Sequence, residues 1–455
     1  MSEAFRSTRV VTASGVAPAT VIAEDGRIAA IGEWDDIGRA SSVHDFGDLV
    51  LLPGLVDSHV HINEPGRTEW EGFATATLAA AAGGVTTLVD MPLNCIPEVT
   101  SVRALEAKRA AAHGRACVDW AAWGGVVRGN GSDIQPLMEA GVRGFKCFLI
   151  HSGIDGFAWV DEGELRAALQ RLRGTGLPLL AHAELPVPVD AATEAIHRAG
   201  ADWRSYATYL ASRPDEAEVE AIALLIRLAD EYQTPVHIVH LSSAKALPLM
   251  EAARQRGVLI TVETCTHYLW FAAEEIADGA TEYKCAPPIR GADNREQLWN
   301  ALGSGLIDMV TTDHSPCPPA MKRREAGLWD EAWGGIASLG LALPVLWTGM
   351  AQRGFHREAG LARVAEWLSA APARLAGMSA QKGALRVGAD ADLAVFDAEA
   401  EWAVSEGDLF FRHKCSPYIG ARLRGRIRET WLRGRRVFAD GSFEGAARGK
   451  EWVGR

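Results

Sequence analysis

The chain has few cysteines, no long apolar run and no excess of basic residues. Its seven cysteines are odd in number and scattered, and none is spaced as C-x-x-C, which argues against a disulfide framework or a structural zinc finger. No run of about 18 apolar residues, the length that a membrane span needs, occurs in it. The first fifteen residues lack the apolar stretch of a secretory signal. We therefore expect a cytoplasmic protein that binds no membrane.

Acidic residues outnumber basic ones, 58 to 46, and the net charge is -12. An acidic chain without a basic cluster is not typical of nucleic-acid binding proteins. Hydrophobic residues make up 48% and charged residues 23%, as in ordinary globular proteins. At about 150 residues per domain, 455 residues allow three domains. A barrel of about 250 residues with a smaller module fits equally well.

Both ends of the chain read as short strands broken by glycine. Residues 20–23 and 27–31 flank Asp25-Gly26, a dipeptide typical of hairpin turns because glycine tolerates a positive φ. Residues 392–396, 427–432 and 436–438 are also short, strand-like runs with glycines between them. We predict one small β-sandwich module built from both ends, residues 1–52 and 383–455.

The middle of the chain, residues 53–382, alternates between short apolar runs and helical stretches. Eight strands are predicted, and most of them precede a plausible helix, as in a (β/α)8 barrel. The alternative is an open doubly wound sheet, which no G-x-G-x-x-G or P-loop motif supports. The predicted strands are residues 54–62, 85–91, 117–126, 142–149, 177–182, 235–241, 259–265 and 309–314. The clearest predicted helices are 69–82, 162–173, 215–231 and 244–256.

His59 and His61 stand two residues apart at the end of the first strand of the middle segment. Side chains at i and i+2 of a strand point to the same face, so both imidazoles can reach one point. A single histidine in such a place would be read as an ordinary core residue. Two at this spacing favour a pair of metal ligands.

Four further ionisable residues come late in later apolar strands. The C-terminal ends of barrel strands form the active-site face of this fold, so these side chains are predicted to converge with the two histidines. Together they offer nitrogen and oxygen donors that suit zinc or a similar divalent ion. The four residues are Lys146, His182, His240 and Asp313.

Lys146 lies inside an apolar strand, between Phe145 and Phe148. Burying its ammonium group is costly unless the group is paired or chemically changed. One interpretation is an ion pair with a carboxylate such as Asp313. The other is carboxylation of the amine by carbon dioxide, which would create an anionic oxygen ligand able to bridge two metals. Charge arguments alone do not separate the two.

These motifs together resemble the amidohydrolase superfamily, and more closely its cyclic-amide branch of dihydroorotases, hydantoinases and allantoinases. The resemblance covers nearly the whole chain, including the split β module. It rests on PGLVDSHVH at 53–61, on Gly144-Phe145-Lys146, and on His182, His240 and Asp313. Within the branch, allantoinases are the most similar. The stretches that support this are HINEPGRTEWEGF at 61–73, MPLN at 91–94, KCAPPIR at 284–290, DHSPCPP at 313–319, AWGGIA at 332–337 and RHKCSPY at 412–418.

The resemblance implies a binuclear metal site with carbon dioxide bound as a carboxylate on Lys146. His59, His61 and Asp313 would hold one metal, and His182 and His240 the other. His237 competes with His240, which is preferred because the family's ligand directly precedes a pair such as Leu241-Ser242. The metals are expected to be zinc, with cobalt or manganese possible. Relatives commonly form homotetramers, so an oligomer is expected.

Departures from the relatives narrow the implied substrate, a small cyclic ureide. Dihydroorotases carry an arginine in place of Asn63 and an asparagine in place of Leu93, and without the arginine fork a substrate carboxylate loses its best partner. Hydantoinases place a tyrosine where this chain has His151, which either assists or is a plain loop residue. Ala286 replaces a frequent serine, but contacts there would run through the main chain.

The predicted activity is hydrolysis of the cyclic amide of a ureide such as allantoin, with Asp313 transferring the proton. The alternatives are a hydantoinase or dihydropyrimidinase acting on other cyclic ureides, and a non-catalytic scaffold, whose relatives typically lose metal ligands. Asp57 and His267 either orient metal ligands or are ordinary buried polar residues. The predicted substrate-binding residues are Asn94, His151, Cys285, Ala286 and Gly335.

Overall fold

The computed structural model describes residues 2–356, 358–445 and 447–453. Hairpins and short strands open the chain, as the glycine-punctuated sequence predicts. Asp25 and Gly26 take positive φ angles of 49° and 85° and join the second and third strands in a tight turn. The N-terminal strands are β1 (Ser2–Thr12), β2 (Gly15–Glu24), β3 (Arg27–Gly32), β4 (Ser42–Asp45) and β5 (Val50–Pro53).

The middle of the chain forms a closed parallel barrel. Neighbouring barrel strands pair in parallel. The two short strands before and after Trp123 together fill one strand position of the barrel, because the first pairs with the preceding strand and the second with the following one. A parallel bridge between Val60 and His314 joins the last strand to the first, so the barrel is confirmed and the open sheet is not formed. Its strands are β6 (Leu55–Val60), β7 (Val85–Asp90), β8 (Asp119–Ala122), β9 (Gly124–Gly125), β10 (Phe145–Phe148), β11 (Leu179–His182), β12 (Val236–Ile238), β13 (Ile260–Cys265) and β14 (Met309–Thr311).

Helices follow the barrel strands. The first was predicted from Glu69 but begins at Phe73, whose main-chain N–H donates to Glu64 Oε2 over 2.8 Å. Among the described residues, no helix has the length and apolar character needed to cross a membrane. The helices are α1 (Phe73–Ala82), α2 (Val102–Ala112), α3 (Ile134–Glu139), α4 (Glu162–Leu172), α5 (Pro186–Ala199), α6 (Tyr206–Ser212), α7 (Asp215–Tyr232), α8 (Leu247–Gln255), α9 (Thr266–Trp270), α10 (Ala292–Ser304), α11 (Ala342–Gln352), α12 (Glu358–Ala365) and α13 (Ala371–Leu375).

Strands from both chain ends form the β module. Within the described residues its sheet has nine strands, and the strand that begins at Leu393 runs antiparallel to β5, with Leu393 opposite Pro53. Apolar side chains from both ends, among them Phe5, Val21 and Trp431, pack into one cluster. The predicted single module is thus confirmed, while the segment limits 52/53 and 382/383 stay a prediction. The C-terminal strands are β15 (Leu393–Ala403), β16 (Arg422–Leu432), β17 (Arg435–Ala439) and β18 (Ser442–Phe443).

A buried ion cluster joins the barrel to the module. Lys382 Nζ lies 2.6 Å from Asp119 Oδ2 at the start of β8 and 2.7 Å from Asp392 Oδ2 just before β15. Arg433, in the turn after β16, also pairs with Asp119. Because the ions are buried and oppositely charged, this cluster holds the module in a defined position on the barrel.

Candidate metal centre and active site

A cavity of about 790 Å³ opens at the C-terminal ends of the barrel strands. This is the end at which barrels of this class carry their active sites. All six side chains that were predicted as metal ligands line it: His59, His61, Lys146, His182, His240 and Asp313. The strand ends therefore bring together residues that are far apart in the sequence.

His59, His61 and Asp313 form a compact donor group. Asp313 Oδ1 lies 3.2 Å from His59 Nε2 and 3.5 Å from His61 Nε2, and one donor atom from each residue fits within 4.8 Å of the others. Burial alone would raise the pKa of Asp313, but His59 and His61 outweigh it and hold the pKa below its ordinary value. The carboxylate is thus kept ionised and can accept a proton or bind a cation.

His182 and His240 form a second group on the neighbouring strands. His182 Nδ1 lies 3.0 Å from His240 Nε2, and His240 Nδ1 has no hydrogen-bond partner. Burial lowers the pKa of His240 well below its ordinary value, which favours the neutral imidazole that metals bind. His240 and Asp313 both have positive φ angles, 42° and 43°. Such main-chain strain clusters at functional sites.

Lys146 lies on β10. In the order of the barrel strands, β10 comes between the strand that carries His59 and the strand that carries His182. Its side chain is buried, its Nζ has no hydrogen-bond partner, and the ring of Phe148 lies 4.9 Å away. Burial lowers the pKa of Lys146 to about 8. The predicted alternative of an ion pair with Asp313 is not formed here. An unpaired amine in this position needs an additional partner.

The donor set fits divalent metal ions. Imidazole and carboxylate donors converge on one water-accessible cavity, and two buried nitrogens, Lys146 Nζ and His240 Nδ1, lack partners within the protein. Nitrogen and oxygen ligands of this kind suit zinc and similar ions. We conclude that the cavity is a divalent-metal site.

Two buried glutamates contact the donor histidines and were missed from the sequence. Glu263 accepts from His59 Nδ1 over 2.5 Å and from His237 Nε2 over 3.1 Å. Glu184 accepts from His182 Nε2 over 2.7 Å. In the sequence, the one sign of Glu263 is a carboxylate inside the apolar strand β13. Its histidine partners could not be predicted because they come from other strands. Burial would raise the pKa of Glu263, and His59 and His237 lower it further than burial raises it.

His237, the competitor of His240, does not line the cavity. Its two ring nitrogens contact Glu263 Oε2 and, over 2.8 Å, Thr261 Oγ1. His240 does line the cavity wall, beside His182. The placement therefore supports His240 as the donor residue, and His237 as a partner of the carboxylate that orients His59.

Asp57 and His267 occupy different surroundings. Asp57 accepts from Thr312 Oγ1 over 2.5 Å and from the main-chain N–H of His59 over 3.2 Å, so it links the first and last barrel strands. Burial raises the pKa of Asp57 to about 7. His267 is buried with neither ring nitrogen bonded, and burial lowers its pKa to about 4. One of its nitrogens lies within 4.8 Å of donor atoms of Cys265 and Asp313.

The five predicted substrate-binding residues all line the same cavity: Asn94, His151, Cys285, Ala286 and Gly335. Asn94 Nδ2 lies 3.4 Å from His61 Nδ1, whereas the side chain of His151 is exposed and faces Asp155. Gly335 has a φ of 134°, and a Cβ there would lie 2.3 Å from Ser315 O. The main chain at Gly335 therefore approaches the segment that follows Asp313 as closely as a glycine allows.

Three tryptophans and the 412–418 stretch occupy separate places in the structure. Trp333 lines the cavity, whereas Trp299 and Trp347 are buried core residues. The 412–418 stretch packs inward, because the main-chain N–H of Arg412 donates to Glu71 and Ser416 Oγ donates to Ala337 O. It thus packs against the segments that carry Glu71 and Ala337.

The chain is similar to known proteins over nearly its whole length. The model of the amidohydrolase family matches residues 50–437. The allantoinase of Streptomyces avermitilis is 48% identical over 440 residues, 96% of each chain, and that of Saccharomyces cerevisiae is 41% identical over 450 residues, 96% of this chain and 95% of its own. Among solved structures, the L-hydantoinase (dihydropyrimidinase) from Arthrobacter aurescens has a TM-score of 0.93 and 32% identity, covering 100% of this chain and 99% of its own.

Proposed function

This chain belongs to the amidohydrolase family and, within it, to the allantoinases, and we propose that it hydrolyses the cyclic amide of allantoin to give allantoate. The observation that carries the proposal is the convergence of four histidines, Lys146 and Asp313 on one cavity, in a chain 41% to 48% identical to allantoinases over nearly its full length. A non-catalytic scaffold would have no need to keep six such donors together.

The residues that would hold two divalent ions, most simply zinc, include Lys146, whose amine would be carboxylated to supply an anionic oxygen ligand. His59, His61 and Asp313 would hold one ion, and His182 and His240 the other. The lack of any protein partner for Lys146 Nζ supports the carboxylation. When bound, such ions polarise a carbonyl group and bring the pKa of water towards about 7, which supplies a nucleophile at neutral pH.

Asp313 moves the proton in this reaction. Its carboxylate, kept ionised by His59 and His61, accepts a proton from the attacking water as the C–O bond forms. It then delivers that proton to the ring nitrogen as the C–N bond breaks. Asn94 and the main chain around Cys285, Ala286 and Gly335 hold the ring in the cavity, and His151 lies at its mouth. One water is consumed and one carboxylate is formed.

Hydantoinase activity is the second candidate, because the Arthrobacter aurescens structure is similar over the whole chain. The enzyme is further proposed to act in the cytoplasm as a homotetramer. Sedimentation of the purified protein tests the assembly, and a single 49 kDa species would contradict it.

The decisive experiment measures turnover of racemic allantoin, hydantoin and dihydrouracil together with the metal content of the same sample. Preferred turnover of allantoin with two metals per chain supports the proposal. Two metals with turnover of hydantoin or dihydrouracil alone would retain the site and reject the substrate. Inactivity after supply of zinc, cobalt or manganese with bicarbonate would reject the catalytic assignment.

A further inference from the structure

Lys322 is a buried lysine whose hydrogen bonds all go to main-chain carbonyls. It ends a short helical turn in the segment after β14, and only 4% of the residue is exposed. Its Nζ donates to the carbonyl oxygen of Gly335, to that of Trp333 over 3.1 Å and to that of Lys284 over a longer 3.4 Å. Its own carbonyl accepts from Thr281 Oγ1.

The other buried lysines have evident partners or roles. Lys108 pairs with Asp90, Lys382 pairs with Asp119 and Asp392, and Lys146 faces the metal cavity. Burial without a carboxylate partner is unfavourable for an ammonium group. Burial indeed lowers the pKa of Lys322. The burial of Lys322 therefore has a reason other than pairing with an opposite charge.

The three carbonyls belong to two segments of the cavity wall. Residues 284–286 and 333–335 come from separate loops and both line the cavity beside Asp313. Two further hydrogen bonds hold these segments together. Gly335 N donates to Lys284 O over 2.7 Å, and Lys284 Nζ donates to Ala332 O over 2.6 Å. The Lys322 ammonium lies where the two segments meet.

The position of this wall is narrowly defined. A Cβ at Gly335 would lie 2.3 Å from Ser315 O, two residues after Asp313, so only glycine fits at this point of the wall. The bonds from the Lys322 ammonium tie the two wall segments to each other, and charge-assisted hydrogen bonds are stronger than neutral ones. Together these contacts hold the two segments as one wall of the cavity that Asp313 also lines.

We propose that Lys322 is a positioning residue, which joins the 284–286 and 333–335 segments into one rigid wall that holds the ring of the cyclic ureide. It touches the wall and not the reacting atoms. This rests on the proposed function, because it assumes that the wall binds the ring. A wall that contacts the unreactive part of the ring binds ground state and transition state equally, so its loss raises KM more than it lowers kcat.

The test compares Lys322→Met with Lys382→Met, which removes an equally buried lysine far from the cavity. For Lys322→Met we expect KM for allantoin to rise about 10- to 100-fold, the equivalent of one charge-assisted hydrogen bond or slightly more. We expect kcat to stay within about threefold and metal content to be unchanged. Lys382→Met should lower the melting temperature and leave KM unchanged.

An unchanged KM in folded, metal-loaded Lys322→Met would overturn the proposal. If that variant does not fold, Lys322→Gln, which keeps a neutral donor near these carbonyls but loses the charge, should still raise KM, though by less. An unchanged KM there would overturn it equally. If the unaltered enzyme does not hydrolyse allantoin, the proposed function fails instead, and the same comparison with hydantoin still tests the wall.

Discussion

Glu263 shows how one buried carboxylate orients several groups of the site. It accepts hydrogen bonds from His59 Nδ1 and His237 Nε2, so two strands are linked to the donor group through a single side chain. A histidine whose second nitrogen is held in this way presents the other nitrogen in one tautomer and one direction. The orientation of the His59 ring therefore depends on a residue that does not line the cavity.

Glu263→Gln is expected to weaken metal binding by about 10- to 100-fold, because glutamine offers one acceptor oxygen for two imidazole N–H groups. Competition with a chelator measures the change. Glu218→Gln is the matched control, since Glu218 is equally buried but pairs with Arg290 instead of a histidine. Equal metal affinity in the Glu263 variant and the unaltered protein would show that metal binding does not depend on the orientation of His59 by Glu263.

Asp313→Asn should abolish most of the activity without loss of folding. The amide keeps the shape of the side chain but cannot accept and return a proton, so we expect kcat to fall by about 10²- to 10⁴-fold. Steady-state kinetics with metal content and circular dichroism on the same sample check this. Near-normal turnover would remove Asp313 from the proposed proton transfer.

At the scale of elements, the end of β11 is joined to the segment before α7 by a charged contact. Glu184, two residues after His182, accepts from Arg213 Nε over 3.0 Å and from Arg213 Nη2 over 2.6 Å. Burial would raise the pKa of Glu184, but Arg213 and then His182 lower it below its ordinary value of 4.5. The folded protein therefore binds this proton less readily than the unfolded chain does.

This pKa direction predicts the acid limb of stability. Because the folded-state pKa of Glu184 is lowered, its contribution is present above about pH 4.5 and is lost as the pH falls below that value. Glu184→Gln should be less stable near neutral pH and should lose less stability on acidification. Melting temperatures at about pH 7 and about pH 4 test this. An equal decrease in both proteins would contradict it.

At the scale of the whole molecule, the β module and the barrel are joined through Lys382. The ammonium lies between Asp119 of the barrel and Asp392 of the module, and the three groups are nearly inaccessible to water. Removing one partner of a buried pair leaves an uncompensated charge, which costs more than the pair contributes. The orientation of the two units is therefore coupled to the free energy of unfolding.

Lys382→Met is expected to lower the free energy of unfolding by about 3–5 kcal/mol, with KM and kcat for allantoin unchanged at temperatures where the variant is folded. Denaturant unfolding and steady-state kinetics measure the two effects. The double variant Lys382→Met with Asp392→Asn should recover part of the loss, because the unpaired charge is removed. A changed KM would show instead that the module acts on the active site.

Much of the fold and of the donor set could be predicted, because both follow from local patterns. The alternation of strands and helices predicted the barrel, and the predicted ligand residues lie within the barrel strands, as His59 and His182 do, or one to two residues beyond them, as His240 does. Helix α1 was misplaced at its start because Glu64, outside the helix, binds Phe73 N. That contact depends on how a loop returns, which local sequence does not encode.

By itself the sequence determined the barrel, the module made from both chain ends, and the strand ends on which the donor residues lie. Only the tertiary structure decided which groups complete the site. Glu263 is 204 positions from His59, and the pairing exists only because their strands face one barrel interior. The placement of Lys322 under the cavity wall and the separation of Trp333 from the core tryptophans arise in the same way. Periodicity specifies the direction of a side chain, whereas its partners depend on chain closure over long distances.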